Sequence, residues 1–167
     1  MSVRNDRSDA VLRILFVCTG NTCRSPMAEA VFRRLAAERL QCQEWELRER
    51  GVDVISAGLA AADNDPASRE AIDVMREYQV DMSQHLSQPV TDRMLEESTR
   101  ILAMTQRHLQ LLTEHRPDLA HKFALLDRSG TDVPDPIGGM IEDYRQCAET
   151  LARNLREWMV ELILKES

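Results

Sequence analysis

The sequence predicts one three-layer α/β/α domain with a four-stranded parallel central sheet in the strand order 2-1-3-4. Four short, strongly apolar segments alternate with amphipathic segments, which is typical of a parallel sheet covered by helices. A length of 167 residues suits one domain and is too short for two domains that would each bury a core of ordinary size. A content of 43% hydrophobic and 29% charged residues is that of a globular domain.

The N-terminal segment shows where the domain starts. Residues 1–10 are polar and predict a disordered tail, so the domain is expected to span residues 11–167. The apolar run VLRILFV at 11–17 predicts a buried strand. The first helix follows a short loop, with Ser25 as the N-cap and Pro26 at its first position.

The rest of the chain repeats this alternation. The predicted strands lie at 52–58, 100–105 and 122–127, and the predicted helices lie at about 66–78, 89–98, 106–115 and from Ile141 to Leu162. Thr91 is the expected N-cap of the short helix at 89–98. A loop at 128–139, rich in Gly and Pro, separates the fourth strand from the last helix, whose apolar residues keep a spacing of three to four.

Charge and composition exclude several classes of protein. A net charge of -7 argues against a general nucleic-acid binder. No apolar run approaches the roughly 18 residues of a membrane span, and the first residues lack the apolar segment of a secretory signal. Four cysteines without such a signal predict free thiols in a reducing cytoplasm. We therefore expect a cytoplasmic protein with neither a nucleic-acid nor a membrane partner.

The loop after the first strand carries a Cys and an Arg six positions apart, Cys18 and Arg24. That spacing alone is weak evidence, because Cys42 and Cys147 are also followed by an Arg at the same distance. Only the Cys18 segment joins a strand to a helix, lacks acidic residues and contains the Gly and Asn that allow a left-handed backbone. With the helix N-terminus that follows it, the segment predicts a cradle for a phosphate-like anion.

The residue types of this segment suit phosphoryl transfer. Cys18 would be a thiolate, stabilised by the loop amides, the helix dipole and Arg24, and a thiolate can attack phosphorus. The fork of Arg24 matches two phosphoryl oxygens, and the Ser25 hydroxyl can donate to the sulfur. The predicted phosphate-binding loop consists of Cys18, Thr19, Gly20, Asn21, Thr22, Cys23, Arg24 and Ser25.

A proton for the leaving group is expected from Asp135. This residue lies in VPDPIGG, after the fourth strand and so at the same edge of the sheet as Cys18. Its carboxyl would protonate the leaving group as general acid and then deprotonate water as general base. Asp127 and Asp132 are less well placed, but the sequence leaves them open as alternatives.

The segments VCTGNTCRSPMAEAVF, SAG at 56–58 and DPIGG resemble the low-molecular-weight protein tyrosine phosphatase family along nearly the whole chain. The resemblance implies hydrolysis of phosphorylated protein or peptide substrates through a phosphocysteine, without a metal or cofactor. It also implies that Asn21, Ser56 and His85 hold the loop in shape, and that Cys23 can pair reversibly with Cys18 under oxidation. The remaining histidines, at 108, 115 and 121, are expected to be solvated.

Three residues are expected at the substrate rim: Thr22, Leu59 and Ile137. Tyrosine-specific members usually carry a bulky aliphatic residue at the position of Thr22 and aromatic residues just after Asp-Pro, where this chain has Ile137 and two glycines. The motif TGNTCR with DPIGG is instead similar to bacterial protein arginine phosphatases of the family, although these have Phe at the position of Ile137. The resemblance slightly favours phosphoarginine over phosphotyrosine.

Two other functions are open alternatives. A thioredoxin-coupled arsenate reductase shares this loop, but it needs further cysteines near positions 80–90, where this chain has Asp81, Met82, Ser83 and Gln84. A non-catalytic phosphate-binding module would need no acid, so the presence of both Cys18 and Asp135 argues against it.

We expect a monomer that is inhibited by its product, inorganic phosphate.

Overall fold

The computed structural model describes residues 11–164, so the predicted tail at 1–10 lies outside the described residues. The strands are β1 (Leu12–Cys18), β2 (Val52–Gly58), β3 (Arg100–Ala103) and β4 (Phe123–Leu125). They form one parallel sheet in the order β2-β1-β3-β4, which confirms the predicted topology. The carboxyl ends of all four strands therefore meet at one edge.

In the part of the chain that the structure describes, five α-helices cover the sheet: α1 (Arg24–Leu40), α2 (Arg69–Glu77), α3 (Asp92–Glu97), α4 (Gln106–His115) and α5 (Ile141–Met159). The last helix continues as a π-helical segment at Val160–Leu164, and short 3-10 helices at Glu44–Glu46 and Pro117–Lys122 were not predicted. Within residues 11–164, no helix has both the length and the apolar character of a membrane span.

Alternating residues of β1 face two separate apolar layers. Ile14 and Phe16 belong to the layer that β1 shares with α1, α2 and α5. Leu15 and Val17 belong to the layer on the other face, with apolar residues of α3 and α4. Burial on both faces explains why the strand is a continuous apolar run without polar alternation.

Several element boundaries differ from the predicted ones, and two differences shape the site. β3 ends at Ala103, two residues early, because the Met104 carbonyl accepts from Val133 N at 2.9 Å, in the loop before α5. The N-cap of α1 is Cys23, and Ser25 already lies in the helix. The predicted capping role of Ser25 is wrong because its hydroxyl is bound elsewhere, as described below.

Candidate active site

The start of the phosphate-binding loop (residues 18–25) is held from outside by residues that follow β2. The carbonyl of Cys18 accepts from Leu59 N at 2.9 Å, and the carbonyl of Thr19 accepts from Ala60 N at 2.9 Å. In a trans peptide the carbonyl and the next N–H point in opposite directions. The outward carbonyls therefore turn the N–H groups of Thr19 and Gly20 toward the inside of the loop.

The second half of the loop follows the same rule. The carbonyl of Asn21 lies 2.7 Å from His85 Nε2, and the carbonyl of Thr22 accepts from Ser68 N at 2.9 Å. The N–H groups of the next residues, Thr22 and Cys23, consequently face inward as well. Four amides with their hydrogens on one side have the arrangement that an anion cradle requires, so the loop geometry is compatible with the predicted cradle.

Asn21 holds the loop from within. It has a left-handed backbone (φ 57°) and is fully buried, a conformation that Asn tolerates better than most residues. Its side-chain amide donates to Ser25 Oγ at 2.8 Å and to Ser56 Oγ at 2.9 Å, and its Oδ1 accepts from Gln88 N at 3.0 Å. The predicted trio of Asn21, Ser56 and His85 is thus assembled around one loop residue.

Gly58 lets β2 approach the loop. A Cβ at this position would overlap the carbonyl oxygen of Thr19 and lie 2.8 Å from Ala61 Cβ and 3.0 Å from Asn21 N. The SAG turn is therefore needed for close packing of two backbones, since φ at Gly58 lies outside the left-handed region.

The sulfur of Cys18 lies at the floor of the cradle and is almost fully buried, with 3% of the residue exposed. Asn21 N donates to it at 3.2 Å, and Ser25 Oγ lies 2.8 Å away. Because Ser25 Oγ accepts from Asn21 Nδ2, its own hydrogen is available for the sulfur. This contact explains why the hydroxyl does not cap α1.

Arg24 joins the phosphate-binding loop to the acid loop, defined here as residues 128–140. Its Nη1 donates to the Val133 carbonyl at 3.0 Å, and its Nη2 lies 3.5 Å from Asp135 Oδ2. The guanidinium is buried, whereas 43% of the Asp135 side chain is exposed. The predicted acid, Asp135, therefore lies beside Arg24, the predicted phosphate-binding arginine, and is open to solvent.

The carboxylates of both alternative acids, Asp127 and Asp132, accept hydrogen bonds from backbone N–H groups. Asp127 Oδ1 accepts from Ser129 N at 2.9 Å and from Ser129 Oγ at 2.6 Å, and these bonds lower the pKa of Asp127 below its usual value. Asp132 Oδ1 accepts from Gln106 N at 2.7 Å, at the start of α4. Asp135 Oδ1 likewise accepts from Ile137 N, at 3.1 Å, so the feature that makes Asp135 the better candidate for proton transfer is its Oδ2, which lies 3.5 Å from Arg24 Nη2.

The other cysteines differ in their surroundings. Cys23 donates to Ser68 Oγ at 3.2 Å, and burial raises the pKa of its thiol. Burial raises the pKa of Cys147, in α5, to about 12. Cys42 lies just beyond the end of α1, about 25 Å along the helix from Arg24. Of the four cysteines, all of which lie in the described part of the chain, Cys18 is the one whose sulfur accepts from a backbone amide and lies 2.8 Å from a hydroxyl.

The rim residues line different walls. Thr22 is half-buried in the loop, and Leu59 is half-buried where it packs on the α3 and α4 side of the sheet. Ile137 is 59% exposed on the acid loop, beside a cavity of about 200 Å³ that this loop forms with α5. Among the described residues, no group of three or more His, Cys, Asp or Glu side chains is arranged to hold a metal ion.

Among the residues that sequence reasoning missed, Gln88 and His108 contact the site through their side chains. Gln88 donates from its side chain to the Ser56 carbonyl at 2.9 Å and from its backbone to Asn21 Oδ1. His108 is buried and contacts Thr19, so the prediction that it is solvated is wrong. One signal could have identified His108: it lies in the first turn of a helix that starts at the carboxyl edge of the sheet. No comparable signal marks Gln88.

A family model described as "Low molecular weight phosphotyrosine protein phosphatase" matches residues 13–167. The chain belongs to this family. It is 37% identical to the protein-arginine-phosphatase of Bacillus subtilis (strain 168) over 148 residues, which cover 86% of this chain and 92% of that protein. The suspected family and its arginine phosphatase branch are thereby supported.

Solved structures of this family have the same fold. The arginine phosphatase from Geobacillus stearothermophilus superposes with a TM-score of 0.80 at 36% identity, over 93% of this chain and 95% of that one. A Cys-to-Ser mutant of an arginine phosphatase, with a phosphorylated active-site serine, superposes with a TM-score of 0.79 at 36% identity, over 90% of this chain and 95% of that one. A phosphoryl group on the replaced nucleophile is consistent with a phosphoenzyme intermediate in that protein.

Proposed function

We propose that this chain hydrolyses phosphorylated protein side chains through a phosphocysteine at Cys18, without a metal, and that it acts on phosphoarginine in preference to phosphotyrosine. The main support for this proposal is the position of the Cys18 sulfur. It lies at the floor of a bowl of inward amides, with Ser25 Oγ at 2.8 Å and the Arg24 guanidinium linked to Asp135 at the rim. This arrangement suits an anion that is attacked from below and protonated from above.

In the first step, the Cys18 thiolate forms a bond to phosphorus while the bond from phosphorus to the leaving nitrogen or oxygen breaks. The leaving atom keeps the bonding electrons and takes the proton of Asp135. Arg24 and the loop amides balance the charge on the three equatorial phosphoryl oxygens. Since Asp135 is exposed and only 3.5 Å from Arg24, it lies where the leaving group would exit.

In the second step, the Asp135 carboxylate takes a proton from water, whose oxygen bonds to phosphorus as the sulfur–phosphorus bond breaks. The sulfur leaves as a thiolate, so a donor that stabilises its charge accelerates the step. The hydrogen of Ser25 Oγ is free for this role because Asn21 Nδ2 occupies the acceptor side of the oxygen. Ser25 thereby completes the cycle by restoring the starting nucleophile.

The preference for phosphoarginine rests on two of the three rim residues, Thr22 and Ile137. Thr22 is a short polar side chain that leaves room for a planar guanidinium, whereas a bulky aliphatic residue would narrow the entrance. Ile137 offers an aliphatic wall in place of the aromatic faces that stack on a phenol ring. The named activity of the similar arginine phosphatases supports the same choice.

The substrate preference is tested with two peptides of one sequence that carry phosphoarginine or phosphotyrosine. We expect a higher kcat/KM for phosphoarginine in the wild type, and Thr22→Ile should lower it and raise kcat/KM for phosphotyrosine. Thr113→Ile is the matched control, because Thr113 is exposed on α4 and should change neither rate. Equal changes for both peptides in Thr22→Ile would refute the role of Thr22 in specificity.

We further propose that the protein acts as a cytoplasmic monomer and that inorganic phosphate inhibits it. Phosphate has the charge and shape of the transferred group, so it should compete with substrate for the cradle. Steady-state inhibition by phosphate, together with sedimentation of the active protein, tests both points. Non-competitive inhibition would place phosphate elsewhere, and a sedimenting dimer would contradict the monomer.

A further inference from the structure

His108 is a buried histidine in direct contact with the phosphate-binding loop. It lies in the first turn of α4, only 5% of the residue is exposed, and its Nε2 is 2.8 Å from Thr19 Oγ1. Its backbone N–H donates to Thr105 Oγ1 at 3.2 Å, which fixes the start of the helix. The imidazole is thus carried by a capped helix and aimed at the residue next to the nucleophile.

The surroundings of the ring select its tautomer. The second ring nitrogen, Nδ1, is buried without a hydrogen-bond partner among the described residues. A buried N–H without an acceptor is rarer and more costly than an unused acceptor nitrogen. The proton therefore resides on Nε2, and His108 donates to Thr19 Oγ1.

The charge of the ring is also determined by its surroundings. Burial, and next to it the positive charge of Arg24, lower the pKa of His108 to about 4. The carboxylates of Asp132 and Asp135 act in the opposite direction but have smaller effects. The ring is therefore neutral at neutral pH and adds no cation beside the phosphate-binding arginine.

Thr19 is held from two sides. Its carbonyl accepts from Ala60 N, which follows β2, and its hydroxyl is bound by His108, which follows β3. The Thr19 residue itself is exposed, so little packing restrains it. The carbonyl bond orients the peptide plane after Thr19, which presents the Gly20 N–H, and the hydroxyl bond restrains the Thr19 side chain and so the position of its Cα, which both peptide planes share.

We propose that His108 is a positioning residue of the phosphate-binding loop, whose Nε2–H anchors the Thr19 hydroxyl and so aims the amides of Thr19 and Gly20 at the phosphoryl group. This inference rests on the proposed phosphate-binding function of the loop. It adds a tie from the α4 side to the network of Asn21, Ser56 and His85 on the other side.

The test compares two substitutions at position 108, with inorganic phosphate as the probe. His108→Leu keeps an apolar bulk but removes the donor, whereas the amide of His108→Gln can still donate near the position of Nε2. We expect His108→Leu to weaken phosphate binding, measured by calorimetry, and kcat/KM by about 3- to 10-fold, the range for one hydrogen bond. His108→Gln should recover most of both losses.

A double-mutant cycle with Thr19→Val identifies the route of the effect. If the bond between the two side chains is responsible, Thr19→Val alone should cost about the same, and the double variant should be no worse than either single variant. Multiplying losses would overturn the proposal. So would a His108→Leu protein with a lower Tm but unchanged phosphate affinity, because that result would mean a role in packing alone.

The remaining outcomes are also decisive. If His108→Leu does not fold, His108→Gln and Thr19→Val still decide, since unchanged phosphate affinity in Thr19→Val would exclude the anchor. If the wild type binds phosphate but shows no turnover, the proposed catalytic function fails, while the calorimetric cycle still tests the anchor.

Discussion

The phosphate-binding loop and the acid loop meet at Arg24 but are held in different ways. The first is mostly buried and accepts hydrogen bonds from the residues after β2, from the segment around His85 and from α4. The second is largely exposed at Asp135, Ile137 and Met140, the last with 78% of its surface accessible. Its main ties to the rest of the site are the bonds of Val133 and the 3.5 Å contact between Asp135 and Arg24.

This difference shows how two tasks, binding the phosphoryl group and transferring a proton, are divided between the two loops. A cradle for a phosphoryl group must have its amides in place before the substrate arrives, because reorganising them during the reaction would raise the barrier. The loop that carries the proton donor and one wall of the substrate site must instead admit different substrate side chains and release products. An exposed loop allows both. Substitutions of the nucleophile or of residues that hold the amides of the first loop should therefore affect all substrates alike. Substitutions of Thr22 at its rim, or of residues in the second loop, should discriminate between substrates.

The largest effect is expected for Cys18→Ser, which removes the thiolate while preserving the bonds of the loop. We expect kcat to fall by about 10⁴-fold or more, with phosphate affinity and Tm close to those of the wild type. Cys42→Ser is the matched control and should retain full activity, because Cys42 lies at the far end of α1. A Cys18→Ser protein with substantial turnover would remove the nucleophile from this position.

The next effect is expected for Asp135→Asn, in the acid loop. Loss of the acid should slow hydrolysis of a substrate with a poor leaving group by about 10²- to 10³-fold, and should affect p-nitrophenyl phosphate much less. Asp132→Asn is the control, since that carboxylate binds the Gln106 backbone and should change stability more than rate. Equal rate losses for good and poor leaving groups would show that Asp135 acts by some route other than proton donation.

A smaller effect is expected for Gly58→Ala, which would press a Cβ against the loop. The overlap with the Thr19 carbonyl should lower the free energy of unfolding by about 1–3 kcal/mol and weaken phosphate binding by roughly tenfold, alike for all substrates. Gly51→Ala is the control, because its positive φ of 82° also makes Ala costly there but the site is distant. If both variants bind phosphate equally well, the close approach at Gly58 does not shape the cradle.

The prediction with the smallest expected change in activity concerns stability and pH. His108 is neutral in the folded protein, with a pKa of about 4, but it takes up a proton below pH 6.5 when unfolded. The unfolded state therefore binds more protons between these values, and stability falls as the pH decreases from about 6.5 to 4. The loss attributable to this residue is about 3 kcal/mol at most, so denaturation of His108→Gln should depend less steeply on pH there than that of the wild type. Parallel curves for the two proteins would contradict a buried, neutral His108.

Much of the site could be predicted because its residues are adjacent in the chain. Cys18, Arg24 and Ser25 belong to one loop, and a strand followed by a helix places that loop at the carboxyl edge of the sheet. Asp135 was predicted by the same rule, since it follows β4. The start of α1 was misplaced because the Ser25 hydroxyl has a partner in space, the Cys18 sulfur, that local capping preferences do not reveal.

The sequence by itself determined the alternation of strands and helices, the parallel sheet and the position of the loop that carries Cys18, because each depends on local periodicity and short-range chemistry. The tertiary structure decided which groups bind the outside of that loop. Ala60, Gln88 and His108 reach it from separate elements, and their hydrogen bonds depend on distances that no spacing in the chain encodes. The direction of the amides, and hence the anion cradle itself, is a consequence of those long-range contacts.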